Sequence, residues 1–462
     1  MKNRIEMPLI FSDNMVLQRD QKIPVWGKSD GDVEVIFGEK RYTGNVKNGH
    51  FKLYLDNHDA AENMELVIRC GEETLTYKNI SVGEVWIAGG QSNMEWPLEN
   101  STDGCFDMQF AALEDHVRYF SALHFDDEKN QYISKNNKSV WSSVLSDNGK
   151  ISACAYYFAK RLYSKLNVPI GIIDCNAGAT SIFHWIPEEF LDNEEFIPYV
   201  NGYDEFILGK RISGNNKIMG AAISASYGTC FENYMRELCP YSARGVIWYQ
   251  GEADAAGKES AEIYVQAFKT LVKSWREKLE NDNLLFISVL LAGYGGEWIG
   301  GNKAKAWAYM RNAQIQACEN THTCYVSAID RGGVDNIHPA EKIIVGQRLA
   351  GCALNKAYAM SIKWKCPTMR TISIENGILK IYFNHTYGRL FASCCEGCDI
   401  ALKDSLKLWH WYQTVVSEDH LEVKIGDLKI TKVRFCYCNN PKIRIYNQYG
   451  LPAVPFEYTF DN

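Results

Sequence analysis

Between residues 81 and 360, short apolar runs alternate with amphipathic segments, and this alternation restricts the possible folds more than any other feature of the chain. Val85-Trp86-Ile87-Ala88, Ile170-Gly171-Ile172-Ile173, Gly245-Val246-Ile247-Trp248-Tyr249, Leu285-Phe286-Ile287-Ser288-Val289 and Tyr325-Val326-Ser327-Ala328 read as buried strands. They are too short for helices and lack the apolar–polar alternation of a half-solvated strand, so both faces must be covered. Between them, Ala153–Leu166 and residues 262–279 carry apolar residues at helical spacing. Strands alternating with helices imply a parallel sheet with helices on both faces: a doubly wound, flavodoxin-like, three-layer α/β/α domain. Residues 190–225 have weak periodicity and several Gly and Asn, and read as a long insertion near the sheet edge or over a site.

The flanks have a different texture. In residues 1–80, Val33–Phe37 and Phe51-Lys52-Leu53-Tyr54-Leu55 alternate, and Met64-Glu65-Leu66-Val67-Ile68 and Thr74-Leu75-Thr76-Tyr77 continue the pattern. After residue 361 alternation returns in Thr371-Ile372-Ser373-Ile374, Leu379-Lys380-Ile381-Tyr382-Phe383 and Leu421-Glu422-Val423-Lys424-Ile425. The expected organisation is a β module (1–80), an α/β domain (81–360) and a second β module (361–462).

Composition narrows the partners. Lys+Arg is 49 against 56 Asp+Glu, a net charge of −7, so nothing global draws the chain to nucleic acid or to an anionic membrane. Aromatics reach 13%, which suits β-rich cores or a surface that stacks on sugar rings. The longest apolar run, 284–292, is far short of the ~20 residues of a membrane span. Fifteen cysteines are an odd number in a chain too long to be a disulfide-stapled miniprotein. Met1-Lys2-Asn3-Arg4 is basic, but no sustained apolar stretch follows, so the expectation is a cytoplasmic protein with reduced thiols. Cys394-Cys395-Glu396-Gly397-Cys398 and Cys436-Tyr437-Cys438 lack the paired spacing of a zinc site and read as small apolar side chains in a β core. Neither a metal nor a cofactor is expected.

Ligands of a doubly wound sheet bind beyond the carboxyl ends of its strands. After the first strand comes Gly89-Gly90-Gln91-Ser92, which places Ser92 just past a Gly-Gly turn, either as a nucleophile or as a helix cap. After the second comes Asp174-Cys175-Asn176-Ala177-Gly178, where Gly178 can offer its N–H to an oxyanion. After the third comes Gln250-Gly251-Glu252-Ala253-Asp254, in which Gln250 is a plausible donor and Glu252 and Asp254 cap the next helix or brace the loop. After the last comes Asp335-Asn336-Ile337-His338-Pro339, whose spacing can bring the carboxylate to the imidazole and leave the other ring nitrogen as a base towards Ser92. His184, between Phe183 and Trp185, reads as packing or a pocket wall. A serine, a histidine, an aspartate and donors from Gly and Gln compose an acyl-transfer site. No G-x-S-x-G elbow surrounds Ser92, which disfavours an ordinary α/β-hydrolase.

These residues resemble the SGNH-type hydrolases and, more narrowly, the sialate O-acetylesterase family of carbohydrate esterases. The resemblance begins at Ile10-Phe11-Ser12-Asp13-Asn14-Met15-Val16-Leu17-Gln18. It continues through Gly83-Glu84-Val85-Trp86, Gly90-Gln91-Ser92-Asn93-Met94-Glu95-Trp96, Val168-Pro169-Ile170-Gly171 and Arg244-Gly245-Val246-Ile247-Trp248-Tyr249-Gln250-Gly251-Glu252. Its last block is Asp335-Asn336-Ile337-His338-Pro339 with Lys342 and Arg348. It implies Ser92 as nucleophile, His338 as base, Asp335 as orienter, and Ser92, Gly178 and Gln250 as the oxyanion hole. Gln91, Met94, Glu95, Trp96, Glu252 and Trp185 are the expected substrate contacts. Two blocks depart from the family's usual pattern: Gly178-Ala179-Thr180 stands where Gly-Gly-Thr is usual, and Phe231-Glu232-Asn233 where Tyr-Asn-Gly is usual. The implied activity is removal of O-acetyl groups from sialic acid or a related sugar, with acetylated xylo- or manno-oligosaccharides as alternative substrates. A reading of another class is a carbohydrate-binding protein with a vestigial esterase site. The expected partner is a small O-acetylated sugar or oligosaccharide, and a homo-oligomer is compatible with the sequence.

Overall fold

The computed structural model describes residues 4–111, 116–126, 131–134, 140–143, 149–192, 194, 196, 227–295, 306–319, 322–393, 400–442 and 445–460. The 190–225 insertion lies almost wholly outside the described residues, as does the Cys394–Cys398 cluster. The chain divides into two compact units, Met1–Gln250 with Ala267–Phe286, and Gly251–Gln266 with Ile287–Asn462.

In the first unit the N-terminal strands pair antiparallel. Ile23–Ser29 lies between Ile5–Glu6 and His50–Leu55, and Val33–Phe37 lies between Lys40–Gly44 and Ala61–Cys70. In His50–Leu55 the apolar Phe51, Leu53 and Leu55 are buried and the residues between them exposed, as a period of two requires. Glu73–Gly90 is one strand of 18 residues. Its first part pairs antiparallel with Ala61–Cys70. Its second part is flanked by Ile170–Asn176 and Gly245–Tyr249, both parallel. Burial alternates as far as Asn79 and is continuous from Ile80 to Gly90, so the change of texture at residues 80/81 falls inside a single strand.

Val117–Ser121 runs parallel on the far side of Ile170–Asn176 and carries the short Ser142–Ser143 at the edge. Sequence reasoning passed over this strand because Arg118 interrupts the apolar run. Arg118 is nonetheless buried, and its guanidinium donates to the carbonyls of Asn14 (3.1 Å) and Asn79 (2.6 Å). The helix Ala153–Leu166 forms at the expected place. Ser152 caps its start by accepting the Ala155 N–H at 3.2 Å, and Asn167 ends it in the left-handed conformation. Within the strand Glu73–Gly90, the fully buried Glu84 accepts from Gln18 Nε2 (3.0 Å), Arg19 Nε (2.6 Å) and Arg244 Nε (2.9 Å). A carboxylate this deep persists only because two guanidiniums and an amide neutralise and saturate it.

The second unit holds the strand Thr323–Ser327, the helices Ala306–Ala317 and Ile343–Lys356, and antiparallel C-terminal sheets. Ile378–Asn384 pairs with Thr368–Glu375 and His420–Lys424, while Ile400–Asp404 lies between Trp409–Tyr412 and Ile430–Phe435. Their inward residues, among them Leu379, Ile381, Leu402, Leu421, Val433 and Phe435, form one core that includes the buried thiol of Cys436. Cys438 packs with Ala401 and Trp409, so both members of the Cys-Tyr-Cys motif serve as small core side chains. Among the described residues no helix is long and apolar enough to cross a membrane.

Candidate active site

Three strand ends of the first unit are aligned by register: Asn176 faces Gly90 on one side and Tyr249 faces Gly90 on the other. Ser92, Gly178 and Gln250 follow this row by one or two residues, so strand pairing alone gathers them. Gly90 is required at its place. Its φ is +139°, and a Cβ there would lie 2.2 Å from the Tyr249 carbonyl oxygen. The chain then turns, with the Gln91 N–H donating to that same oxygen at 3.0 Å. Ser92 opens a single helical turn, Ser92–Glu95, in which the N–H groups of Met94 (2.8 Å) and Glu95 (3.0 Å) donate to the Gln91 carbonyl. Ser92 is partly exposed.

The second turn is tied to the first by Ala177 N–H to Gly90 O at 3.1 Å. Gly178 and Ala179 are partly exposed at its tip, and Ala179 sits at φ +58°, a left-handed position where glycine would be unstrained. Thr180 folds back. Its hydroxyl donates to Ala177 O at 2.7 Å and accepts from Trp185 Nε1 at 3.0 Å. Below, Asn176 Nδ2 donates to Ala88 O at 3.1 Å and to Asp174, whose other carboxylate oxygen accepts the Ser152 N–H at 3.2 Å.

Gln250 is fully buried and joins all three turns. Its side-chain amide donates to Thr180 O at 3.0 Å and to Gln91 Oε1 at 3.3 Å. Both amide hydrogens thus point at protein oxygens, and one must be redirected before Gln250 can hold an oxyanion.

The expected substrate contacts divide. Glu95 and Trp96 are partly exposed beside Ser92. Gln91 is 3% exposed, with its side-chain oxygen engaged by Gln250. Met94 is fully buried under Ser152, and Glu252 is buried in the second unit. Trp185 is also fully buried. It lies edge-on to Trp248 at 6.2 Å, and its carbonyl accepts from Trp275 Nε1 at 2.9 Å. An indole enclosed on all sides has no face for a ligand, so as placed Trp185 holds Thr180 rather than a sugar. His184 is buried too, with Nδ1 3.2 Å from Ser181 O and the ring near Tyr227, in line with a packing role.

Asp335 and His338 belong to the second unit, on the segment 331–341. This segment is fastened at its root. The nearly inaccessible Asp330 receives two bonds from Arg348 (2.6 and 2.9 Å) and one from Arg331 (2.8 Å), while Arg331 also reaches Glu341 at 3.0 Å. Arg331–Glu341 therefore closes the loop of residues 331–341, which contains His338. Sequence reasoning did not assign Asp330 or Arg348 a role, although an arginine on the largely apolar stretch 343–354 was a signal. His338 is half-buried, and its backbone N–H donates to Asn336 Oδ1 at 2.8 Å. Burial, and then the nearby Lys342 cation, hold its imidazole below the ordinary value of 6.5. Asp335 is exposed, and among the described residues no hydrogen bond or ion pair joins its carboxylate to His338.

A partly exposed serine on a row of strand ends, with a glycine turn and a buried amide beside it, is an arrangement suited to acyl transfer. Comparisons with known proteins point the same way. Residues 82–355 match the family described as carbohydrate esterase, sialic acid-specific acetylesterase. The sialate O-acetylesterase of Mus musculus is 23% identical over 443 residues, covering 83% of this chain and 78% of that protein. That of Homo sapiens is 25% identical over 215 residues, 44% of this chain and 37% of that protein. The solved structure of a carbohydrate acetylesterase from Xanthomonas citri superposes with a TM-score of 0.82 at 27% identity, covering 99% of this chain and 100% of that one.

Proposed function

The chain belongs to the sialic acid-specific acetylesterase family of carbohydrate esterases, and from that premise we propose that it removes O-acetyl groups from sialic acid or a related sugar through an acyl-enzyme on Ser92. His338 takes the Ser92 proton as the oxygen attacks the acetyl carbonyl. Gly178, Gln250 and the Ser92 N–H receive the oxyanion, and the sugar alkoxide leaves with the proton from His338. Water then attacks the acetyl-serine, His338 again acting as base, and acetate departs. Asp335 is the orienter of His338. Catalytic hydrogen bonds of unliganded enzymes are often long and tighten in the reacting complex. An SGNH-type parallel core for residues 81–360 between two β modules belongs to the same reading, as does a cytoplasmic location with reduced thiols.

The observation that supports this reading most is the alignment of Asn176, Gly90 and Tyr249, which gathers Ser92, Gly178 and Gln250 at one edge of the sheet. The test is acetate release from a small acetyl ester, from O-acetylated sialic acids and from acetylated xylo-oligosaccharides. Ser92→Ala should lower turnover at least about a thousandfold, and Asp335→Asn at least about a hundredfold. No wild-type turnover, or an unaffected Ser92→Ala variant, sinks the esterase. A loss of less than about tenfold at Asp335 removes that residue from the triad. The preferred substrate arm decides between sialic acid and xylan-type sugars.

A further inference from the structure

The second unit contains a pocket of about 400 Å³, within the range of roughly 300–1,000 Å³ of small-ligand sites. Its floor is apolar. Ile315, Tyr325 and Cys366 line it and belong to a core cluster with Leu290, Leu451 and Val454. Its rim is charged. Lys356, the last residue of the helix Ile343–Lys356, and Lys365 are both exposed, and each holds its ammonium 5.7 Å from the centroid of the Trp364 ring. Among the described residues neither lysine is in an ion pair. Glu319 is the one carboxylate among the described lining residues, so the rim sets two cations against one anion. Two side-chain amides fix this rim. Asn355 accepts from Trp364 Nε1 and donates to Met360 O, both at 2.9 Å, which ties the helix end to the segment that carries Lys365. Asn447, 1% exposed, donates to Lys365 O at 3.1 Å and to His385 O at 3.0 Å. His385, which lines the pocket, stands at φ +61°, a left-handed conformation uncommon outside glycine. Backbone held in this way clusters at ligand clamps and other functional sites. Neither the Ser92 turn nor the His338 loop contributes a residue to the pocket.

We propose that this pocket is a second sugar site, apart from Ser92, that binds a monosaccharide acid such as sialic acid freed of its acetyl group. The choice of sialic acid rests on the activity proposed above, whereas the preference for a carboxylate rests on the rim alone. The carboxylate meets the ammonium groups of Lys356 and Lys365, which the Trp364 ring gathers at one place. Glu319 accepts from sugar hydroxyls. His385 is held below its ordinary value by burial and then by Lys365, so near pH 7 it is a neutral imidazole that can donate to or accept from a hydroxyl. The apolar face of the sugar ring covers Ile315 and Tyr325. Because Asn355 and Asn447 already hold the rim, little ordering is left to be done on binding. A neutral sugar of similar size keeps the floor and forgoes the two cations. Substrate and product carry the same carboxylate, so the site accepts either.

The test is titration calorimetry of the full chain with free N-acetylneuraminic acid, which has no acetyl ester to lose, and with the neutral N-acetylglucosamine. The acid should bind, and the neutral sugar should bind at least about threefold more weakly. Lys356→Gln with Lys365→Gln should weaken the acid roughly threefold to thirtyfold. Acetate release from a small acetyl ester should stay at its wild-type rate in that variant, as a check on folding. The proposal is overturned if the wild type does not bind the acid, if the lysine variant binds it as tightly as the wild type, or if N-acetylglucosamine binds as tightly as the acid. An enzyme that releases acetate from acetylated sialic acids yet shows no lysine-dependent binding overturns this site and leaves the esterase standing. Lysine-dependent binding by a chain that releases no acetate does the reverse.

Discussion

His338 illustrates how much a single side chain's surroundings decide. Its imidazole is held below 6.5 by burial and by Lys342. A base with a lowered pKa stays neutral further into acid, so the acid limb of kcat/KM should lie below 6.5. Removing the cation with Lys342→Met should move that limb up towards 6.5 and leave the alkaline plateau in place. A limb that stays still or moves down would refute the assignment of His338 as base. The same sign governs stability: the unfolded chain takes up this proton first, so the His338 contribution falls away as pH drops below 6.5. The residues of this loop were legible in the sequence, but their arrangement was not. The Asp335–His338 spacing fixes how far apart the two lie along the chain, whereas the shape of the loop comes from Arg348 gripping Asp330 and from Arg331 reaching Glu341. Those contacts join positions that no local pattern connects, and they leave Asp335 exposed.

At the level of elements, the strand ends carry the site. Gly90→Ala would place a methyl group against the Tyr249 carbonyl at a backbone angle that L-residues avoid. A cost of about 1–3 kcal/mol from the backbone alone is expected, and more from the displaced strand. The urea midpoint should fall accordingly, and acetate release should fall further than the lost stability explains, because Gln91 and Ser92 move with it. An active variant of unchanged midpoint would show that the row of strand ends does not set the geometry. Most of these elements could be read from periodicity, since residues 170–173 and Gly245–Tyr249 are continuous apolar runs. Val117–Ser121 escaped because its buried Arg118 is satisfied by two carbonyls distant in sequence, those of Asn14 and Asn79, and Trp185 misled because an aromatic beside a loop looks the same in sequence whether it faces solvent or core.

For the molecule as a whole, the net charge of −7 sets a long-range field that a charged substrate feels and a neutral one does not. An O-acetylated sialic acid carries a carboxylate, so its kcat/KM should rise as salt is raised from about 0.01 to 0.15 M and the repulsion is screened. Acetylated xylo-oligosaccharides should show a flat response in the same acetate assay. A fall with salt for the sialic acid would mean that a local cationic field outweighs the overall charge. The single strand Glu73–Gly90 has a consequence for the order of events at the ribosome. Its antiparallel partner Ala61–Cys70 and the short Val16–Gln18 are already synthesised when Gly90 emerges. Its parallel partners Ile170–Asn176 and Gly245–Tyr249 are still unmade. The strand that leads to Ser92 is thus anchored at its rear while its front edges wait, unpaired, for translation to deliver the chain that completes them.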